Sequence, residues 1–223
     1  MNSIRLLTIG QAPRPDMEAE LRLVLDATRS NKSELAIETL GALDGLSGAE
    51  IAACPPTSDA DAFHTRLEGH RDVIVSKAAV TERLATLVDG GDDRLTIVGC
   101  TGRFAGFPRR ANVLYPSHIL ANVVEAVLPA SAHLGVLVPL AEQVAPLTEQ
   151  WNTDGRTAFA VHVPPGASPD EACDVLTAEG VDAVLLHCFG YETELVERVR
   201  MRTARPVLSA VRLTALVAAE LLG

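Results

Sequence analysis

Short apolar runs rich in β-forming residues alternate along the 223-residue chain with longer amphipathic stretches. This alternation is typical of βα units, in which each helix connects two parallel strands. It predicts strands at residues 5–9, 35–40, 72–75, 95–98, 134–138, 159–163, 183–187 and 207–209. It predicts helices at residues 17–27, 78–89, 119–127, 142–151, 169–179, 192–202 and 213–222. The expected fold class is therefore α/β.

Several predicted strands, such as residues 95–98 and 183–186, are apolar almost throughout. Continuous apolar strands are expected where helices cover both faces of a parallel sheet. Three residues at expected helix starts, Asp16, Ser117 and Ser168, are of types that cap helices. The capping residues and the strand composition thus favour the same α/β architecture.

Charge is distributed unevenly along the chain. Residues 115–197 contain 12 acidic residues and a single basic one, Arg156, and the flanking segments hold the other 18 basic residues. We interpret this as support for a second lobe that begins near residue 115 and ends near residue 204, with the C-terminal strand and helix returning to the first lobe. The first lobe is expected to comprise residues 1–114 and 205–223, and the second residues 115–204. A single domain with an acidic solvated face is the alternative.

Composition argues against several partners. The net charge of −10, from 19 basic and 29 acidic residues, disfavours binding to the phosphates of nucleic acid. The longest segment without Asp, Glu, Lys or Arg covers residues 126–141 and contains two prolines. Since a membrane span needs roughly 18 apolar residues, no membrane partner is predicted. The first residues show no signal-peptide pattern, so a cytoplasmic protein is expected.

Lysine and cysteine content limits the cofactors. Lys32 and Lys77 are the only lysines, so a pyridoxal-phosphate enzyme would have almost no candidate for its Schiff base. The four cysteines, at positions 54, 100, 173 and 188, include no C-x-x-C pair and have no His at a metal-ligand spacing. We predict no cofactor and no metal, with the cysteines reduced.

The most informative feature is a strand followed by Cys-x-Gly that occurs once in each half. The segment from Ile97 to Gly102 matches the segment from Leu185 to Gly190, with Cys100 and Cys188 at equivalent positions. In open parallel sheets, ligands bind beyond the carboxyl ends of the strands, where both cysteines are expected. Backbone N–H groups of Thr101, Gly102, Phe189 and Gly190 are candidates to bind a carboxylate there.

Two thiols facing one substrate carbon would allow racemisation by two bases. One thiolate would remove the α-proton while the other thiol delivers a proton to the opposite face. The alternative is that both cysteines are small buried residues, since free cysteine is often buried. Cys54 and Cys173 lack the strand-end context and are given no role.

Further candidate substrate-binding residues lie at other strand ends and helix starts. Arg14, held between two prolines, is a candidate for bidentate binding of a carboxylate, and Gly10 and Gln11 share its loop. Ser76 follows a predicted strand, where it either caps the next helix or contacts ligand. Ser117 has the same two alternatives. His187 should point to the opposite sheet face from Cys188 and pack against a helix.

The chain resembles the AroM family. The resemblance rests on residues 7–16 (LTIGQAPRPD), 114–120 (LYPSHIL), 135–139 (GVLVP) and 218–222 (AAELL). That family is placed within the aspartate/glutamate racemase superfamily, which implies two α/β lobes, a cleft between them and cofactor-independent chemistry at α-carbons. The resemblance also suggests a homodimer. Unlike the racemases, this chain has Phe189 and Gly190 after the second cysteine, without the adjacent histidine.

The leading hypothesis is a cofactor-independent racemase or epimerase acting on a small carboxylate or amino acid. An isomerase or decarboxylase of the same superfamily, using one cysteine, is the first alternative. The second is a non-catalytic protein in which the thiols sense a ligand or form a reversible disulfide.

Overall fold

The structure is a computed structural model that describes residues 3–31, 33–104, 106–107 and 109–223, except for the side chain of His70. Lys32, one of the two lysines considered above, lies outside the described residues. The chain divides into two compact units, one formed by Met1–Ser117 with Thr214–Gly223 and the other by His118–Leu213. Each contains a parallel sheet flanked by helices, which confirms the predicted α/β class.

The first unit is built on a four-stranded parallel sheet. The described residues of this unit form six strands, four of which make up the sheet. They are β1 (Ser3–Thr8), β2 (Ala36–Gly41), β3 (Ala62–Arg66), β4 (Asp72–Ser76), β5 (Thr96–Val98) and β6 (Val113–Leu114). Its helices are α1 (Pro15–Thr28), α2 (Gly48–Ala52) and α3 (Lys77–Asp89), with 3-10 turns at Asp59–Asp61 and Glu68–His70. The sheet order is β2-β1-β5-β6, and β1 pairs in parallel with both β2 and β5. The strand that precedes Cys100 therefore lies inside the sheet.

Strands β3 and β4 form a separate antiparallel ribbon. The sequence pattern predicted β4 but not β3, and it treated β4 as a member of the parallel sheet. Strand β3 was missed because its sequence, AFHTR, is short and mixes apolar with polar residues. Ser76 consequently does not lie at the carboxyl end of a parallel strand.

The second unit repeats the architecture. Its elements are α4 (Pro116–Val127), β7 (His133–Val138), α5 (Val144–Trp151), β8 (Thr157–His162), α6 (Asp170–Ala178), β9 (Ala183–Leu186), α7 (Thr193–Thr203) and β10 (Val207–Ser209), and helix α8 (Ala210–Leu222) follows them. A 3-10 turn at Ala141–Gln143 precedes α5. The sheet order is β10-β9-β7-β8, with every pair parallel. The strand before Cys188 is again an interior strand.

Strand β10 differs from the expectation that residues 205–223 belong to the first lobe. It pairs with β9 of the second sheet, because helix α7 connects β9 to the next parallel strand. Helix α8 begins in the second unit, and its residues from Thr214 onward belong to the first.

Apolar clusters cover both faces of the second sheet. Leu186 and Val184 pack with α6 and α7 on one face, while Leu185 and Ala183 pack with α4 and α5 on the other. This two-sided burial explains why β9 is apolar throughout. Among the described residues, no helix is long and apolar enough to cross a membrane.

Candidate active site

Each half of the chain places one cysteine just beyond an interior strand. Strand β5 ends at Val98 and β9 ends at Leu186, so Cys100 and Cys188 each lie two residues further on. Both cysteines are reduced and half-buried. Their shared placement at carboxyl strand ends is the one predicted from the repeated Cys-x-Gly pattern.

Both sulfurs accept a hydrogen bond from the glycine two residues later. The Gly102 N–H donates to Cys100 Sγ at 3.3 Å, and the Gly190 N–H donates to Cys188 Sγ at 3.4 Å. A donor directed at sulfur favours the thiolate over the neutral thiol. The repeat in the sequence is therefore also a repeat of local geometry and electrostatics.

The turn around Cys100 requires glycine at position 102. A Cβ atom on Gly102 would overlap the ring of Phe63, which lies on β3. The antiparallel ribbon thus packs directly against the turn that orients the Cys100 sulfur. Thr101, between the cysteine and the glycine, is buried.

Tyr191 anchors the turn around Cys188. Its hydroxyl donates to the Val163 carbonyl at 2.7 Å, just beyond β8, and its side chain is 1% exposed. Burial raises the pKa of Tyr191 well above its usual value, and negative charge on Cys188 raises it further, so the phenol stays protonated. Sequence reasoning missed this residue, although an aromatic side chain three positions after the cysteine was a visible signal.

The residues that flank Cys188 are packed into the protein. The Phe189 side chain is buried, so only its backbone remains a candidate ligand group. His187 is also buried and packs edge-on against Trp151 of α5, with ring centroids 5.9 Å apart. This confirms the prediction that His187 packs against a helix.

The loop after β1 holds Gly10 and Gln11 in contact with neighbouring loops. A Cβ atom on Gly10 would overlap the Arg66 carbonyl oxygen and the Thr65 hydroxyl, so only glycine fits. The Gln11 amide donates to the Leu43 carbonyl at 3.2 Å, and its oxygen accepts from the Glu68 N–H at 3.1 Å. We therefore assign Gln11 to support of this loop.

Arg14 is 8% exposed and bound to acidic and hydroxyl groups of its own unit. Its Nε and Nη2 atoms donate to the two oxygens of Asp16 at 2.9 and 2.7 Å, and Nη1 donates to Thr8 at 3.3 Å. The edge of the Arg14 guanidinium that was predicted to bind a substrate carboxylate is thus occupied by the Asp16 carboxylate. The signal that could have revealed this pairing was the acidic residue two positions later.

Asp16 also links α1 to the antiparallel ribbon, because Arg66 Nη1 lies 3.3 Å from its carboxylate. Burial raises the pKa of Asp16, but the hydrogen bond and charge of Arg14, with a smaller contribution from Arg66, hold it below its usual value. Asp16 was predicted to cap α1. The helix instead begins at Pro15, so Asp16 lies in the first turn, where an acidic residue favours the helix dipole.

The three serines predicted at helix starts differ in outcome. Ser76 caps α3 by accepting from the Ala79 N–H at 3.3 Å. Ser168 accepts a hydrogen bond from the Asp170 N–H at 3.4 Å, but it lies one residue before the cap position, which Pro169 occupies. Ser117 does not occupy the cap position, because α4 begins at Pro116 and places the buried Ser117 in its first turn.

The remaining cysteines have different surroundings. Cys173 is fully buried in α6, and burial together with the charge of Asp170 raises the pKa of its thiol. The Cys54 thiol donates a hydrogen bond to the Glu50 carbonyl at 3.5 Å. Within the described residues, no three His, Cys, Asp or Glu side chains cluster closely enough to bind a metal ion.

These surroundings predict an order of thiol reactivity. With iodoacetamide at neutral pH, Cys100 and Cys188 should be alkylated roughly tenfold or more faster than Cys173, and also faster than Cys54. Peptide mass spectrometry of the native protein at several reaction times measures the four rates. Equal rates at all four sites would contradict the inferred thiolate stabilisation, and equal rates in urea provide the unfolded control.

Solved structures share this fold. Glutamate racemase isoform RacE1 from Bacillus anthracis has a TM-score of 0.60 and 15% identity, with 99% of this chain and 81% of that chain covered. Glutamate racemase from Aquifex pyrophilus has a TM-score of 0.53 and 15% identity, covering 99% and 84%. Arylmalonate decarboxylase has a TM-score of 0.52 and 15% identity, covering 99% and 92%. The chain therefore shares its α/β fold with these glutamate racemases and with arylmalonate decarboxylase.

The sequence itself gives a family assignment. The family model described as AroM protein matches residues 4–222, so the chain belongs to the AroM family. No curated protein matches the sequence significantly.

Proposed function

We propose that this protein is a cofactor-independent racemase or epimerase that acts on the α-carbon of a small carboxylate or amino acid. Cys100 and Cys188 serve as the two acid/base groups. The observation that carries the proposal is the matched pair of hydrogen bonds from Gly102 and Gly190 to the two sulfurs. A structural cysteine needs no such donor, whereas a base that operates as a thiolate gains from it.

In the proposed reaction, the substrate carbon has one of the two sulfurs on each face. One cysteine is a thiolate and takes the α-proton, and the electron pair of the broken C–H bond passes to the carbon and its carboxylate. The other cysteine, as a thiol, gives its proton to the opposite face. The protonation states of the two sulfurs are then exchanged, and the enzyme is ready for the other enantiomer.

The hydrogen bonds to sulfur assign different roles to the backbone groups of the two turns. Because the Gly102 and Gly190 N–H groups point at sulfur, they stabilise the bases rather than the substrate. The Thr101 and Phe189 backbone groups remain candidate donors to the substrate carboxylate. Arg14 supports the loop after β1 through Asp16, and its positive charge is balanced there.

Likeness to glutamate racemase supports proton transfer at a carbon next to a carboxylate. Likeness to arylmalonate decarboxylase supports a second candidate function, in which one cysteine protonates the carbanion left after loss of carbon dioxide. The equivalent surroundings of Cys100 and Cys188 favour racemisation over this one-cysteine reaction.

The test is incubation with L- and D-amino acids, other small chiral acids and arylmalonates in heavy water. Proton NMR follows loss of the α-proton, and chiral chromatography follows inversion. We expect exchange accompanied by inversion for at least one chiral acid. Carbon dioxide release without inversion would replace the racemase proposal by the decarboxylase, and ligand binding with neither reaction would favour a sensing role.

A further inference from the structure

Ser209, the last residue of β10, has a buried hydroxyl that makes no hydrogen bond to any described residue. The residue is 3% exposed. A buried hydroxyl without a partner lowers the stability of the fold, and this cost is recovered when a ligand supplies the missing bond. Ser209 was not among the candidate site residues predicted from the sequence.

The strand register places Ser209 on the same face of the sheet as Cys188. Ser209 pairs with Leu186 on the adjacent parallel strand β9, so the two side chains project from one face. Cys188 lies two residues beyond Leu186 and returns to that face. Cys188, Leu186 and Val207 pack in one apolar cluster, which agrees with this placement. The hydroxyl and the thiol thus lie at the carboxyl ends of neighbouring strands.

Helix α8 starts immediately after Ser209 and has 13 residues. The N-terminal end of a helix of this length carries partial positive charge and favours anions. A serine before a helix commonly caps it by accepting a backbone N–H. The Ser209 oxygen makes no such bond to the described residues, so its hydroxyl is available to a ligand at the helix end.

Charged side chains near the start of α8 also favour an anion. Arg212, in the first turn, lies 2.7 Å from a carboxylate oxygen of Glu197. The same Glu197 carboxylate also pairs with Arg200 at 2.7 Å. Two guanidinium groups therefore share one carboxylate, and one of them, Arg212, lies in the first turn of α8.

We propose that the Ser209 hydroxyl, together with the N-terminal end of α8, binds the carboxylate of the substrate whose α-carbon reacts at Cys188. The inference rests on the proposed function and adds a substrate-binding residue to it. It also specifies a carboxylate directly bonded to the reacting carbon, because the hydroxyl and the thiol lie on adjacent strands.

Two alkylating reagents test this site without knowledge of the substrate. Iodoacetate and iodoacetamide are attacked at the same kind of carbon: the S–C bond forms, the C–I bond breaks and iodide leaves. Only iodoacetate carries a carboxylate on the reacting carbon. The measured quantity is the iodoacetate-to-iodoacetamide rate ratio at Cys188, divided by the same ratio at Cys54 in the same sample.

In the wild-type protein we expect this normalised ratio to exceed one, and in Ser209→Ala to fall by roughly tenfold, as expected for loss of a hydrogen bond to a charged group. Ser168→Ala is the matched control, because Ser168 also precedes a helix of the second unit but its exposed hydroxyl is already bound to the Asp170 N–H. That variant should keep the wild-type ratio.

An unchanged ratio in Ser209→Ala, or a wild-type ratio of one or less, would overturn the proposal. Thermal unfolding of Ser209→Ala should be unchanged or slightly raised, because the hydroxyl has no partner to lose. The heavy-water exchange assay separates the two proposals. Exchange that persists with an unchanged KM in Ser209→Ala rejects only the proposed role of Ser209. Absence of exchange in the wild-type protein rejects the proposed racemase function.

Discussion

Replacing Cys188 by alanine should abolish racemisation while α-proton exchange of one enantiomer persists. If each sulfur serves one face of the substrate, the Cys100 thiolate can still remove the proton on its own side, but no acid remains on the other side. Inversion should fall roughly 100- to 10,000-fold, the contribution of a positioned acid or base. Cys100→Ala should show the same loss with the opposite enantiomer preference.

Cys54→Ala is the control for these variants, because its thiol is bonded to a carbonyl and has no strand-end context. It should retain full racemase activity. Circular dichroism should show that all three variants are folded. Full activity in Cys100→Ala together with an inactive Cys188→Ala would replace the two-base mechanism by a one-cysteine mechanism.

Asp16→Asn should lower the free energy of unfolding by about 2–4 kcal/mol, because it leaves the buried Arg14 guanidinium without its charge partner. The variant also removes the contact between α1 and Arg66 on β3. Urea unfolding measures the loss. Glu82→Gln, at an exposed site on α3 of the same unit, is the control and should change stability by less than about 0.5 kcal/mol.

The contribution of Asp16 should depend on pH in a defined direction. In the folded protein the pKa of Asp16 is lowered from its usual value near 3.8. Its contribution to the free energy of unfolding is therefore fully present above pH 3.8 and is lost as pH falls through the folded pKa. The difference between wild type and Asp16→Asn should therefore be constant near neutral pH and shrink below about pH 4. A difference that is equally large at pH 2.5 and pH 7 would contradict this assignment.

The parts of the fold that follow from local patterns were predictable. The apolar strands β5 and β9 and the helices between strands have periodicities that identify them from the amino-acid sequence alone. The placement of Cys100 and Cys188 beyond carboxyl strand ends was predictable, because the Cys-x-Gly repeat encodes it within a few residues. The hydrogen bonds from Gly102 and Gly190 differ from the prediction, because these N–H groups, expected to bind a carboxylate, donate to the sulfurs instead.

Features that depend on contacts between distant segments were not predictable. The β3–β4 ribbon depends on the packing of Phe63 against Gly102 and of Arg66 against Gly10, which no local pattern indicates. The Arg14 guanidinium was expected to bind a ligand, but its partner is Asp16 within the chain. Ser209 becomes a candidate only when register and burial show where its hydroxyl lies.

The central claim is that two different sulfurs exchange protons with one carbon, and isotope distribution at low conversion tests it most directly. With a single enantiomer of an active substrate in heavy water, the product enantiomer should carry deuterium at the α-carbon. The recovered starting enantiomer should retain its proton, because the sulfur that removed this proton returns it to the same face, whereas the other sulfur delivers deuterium to the product face. Product that keeps the original α-proton would contradict the two-base account, since one group would then serve both faces.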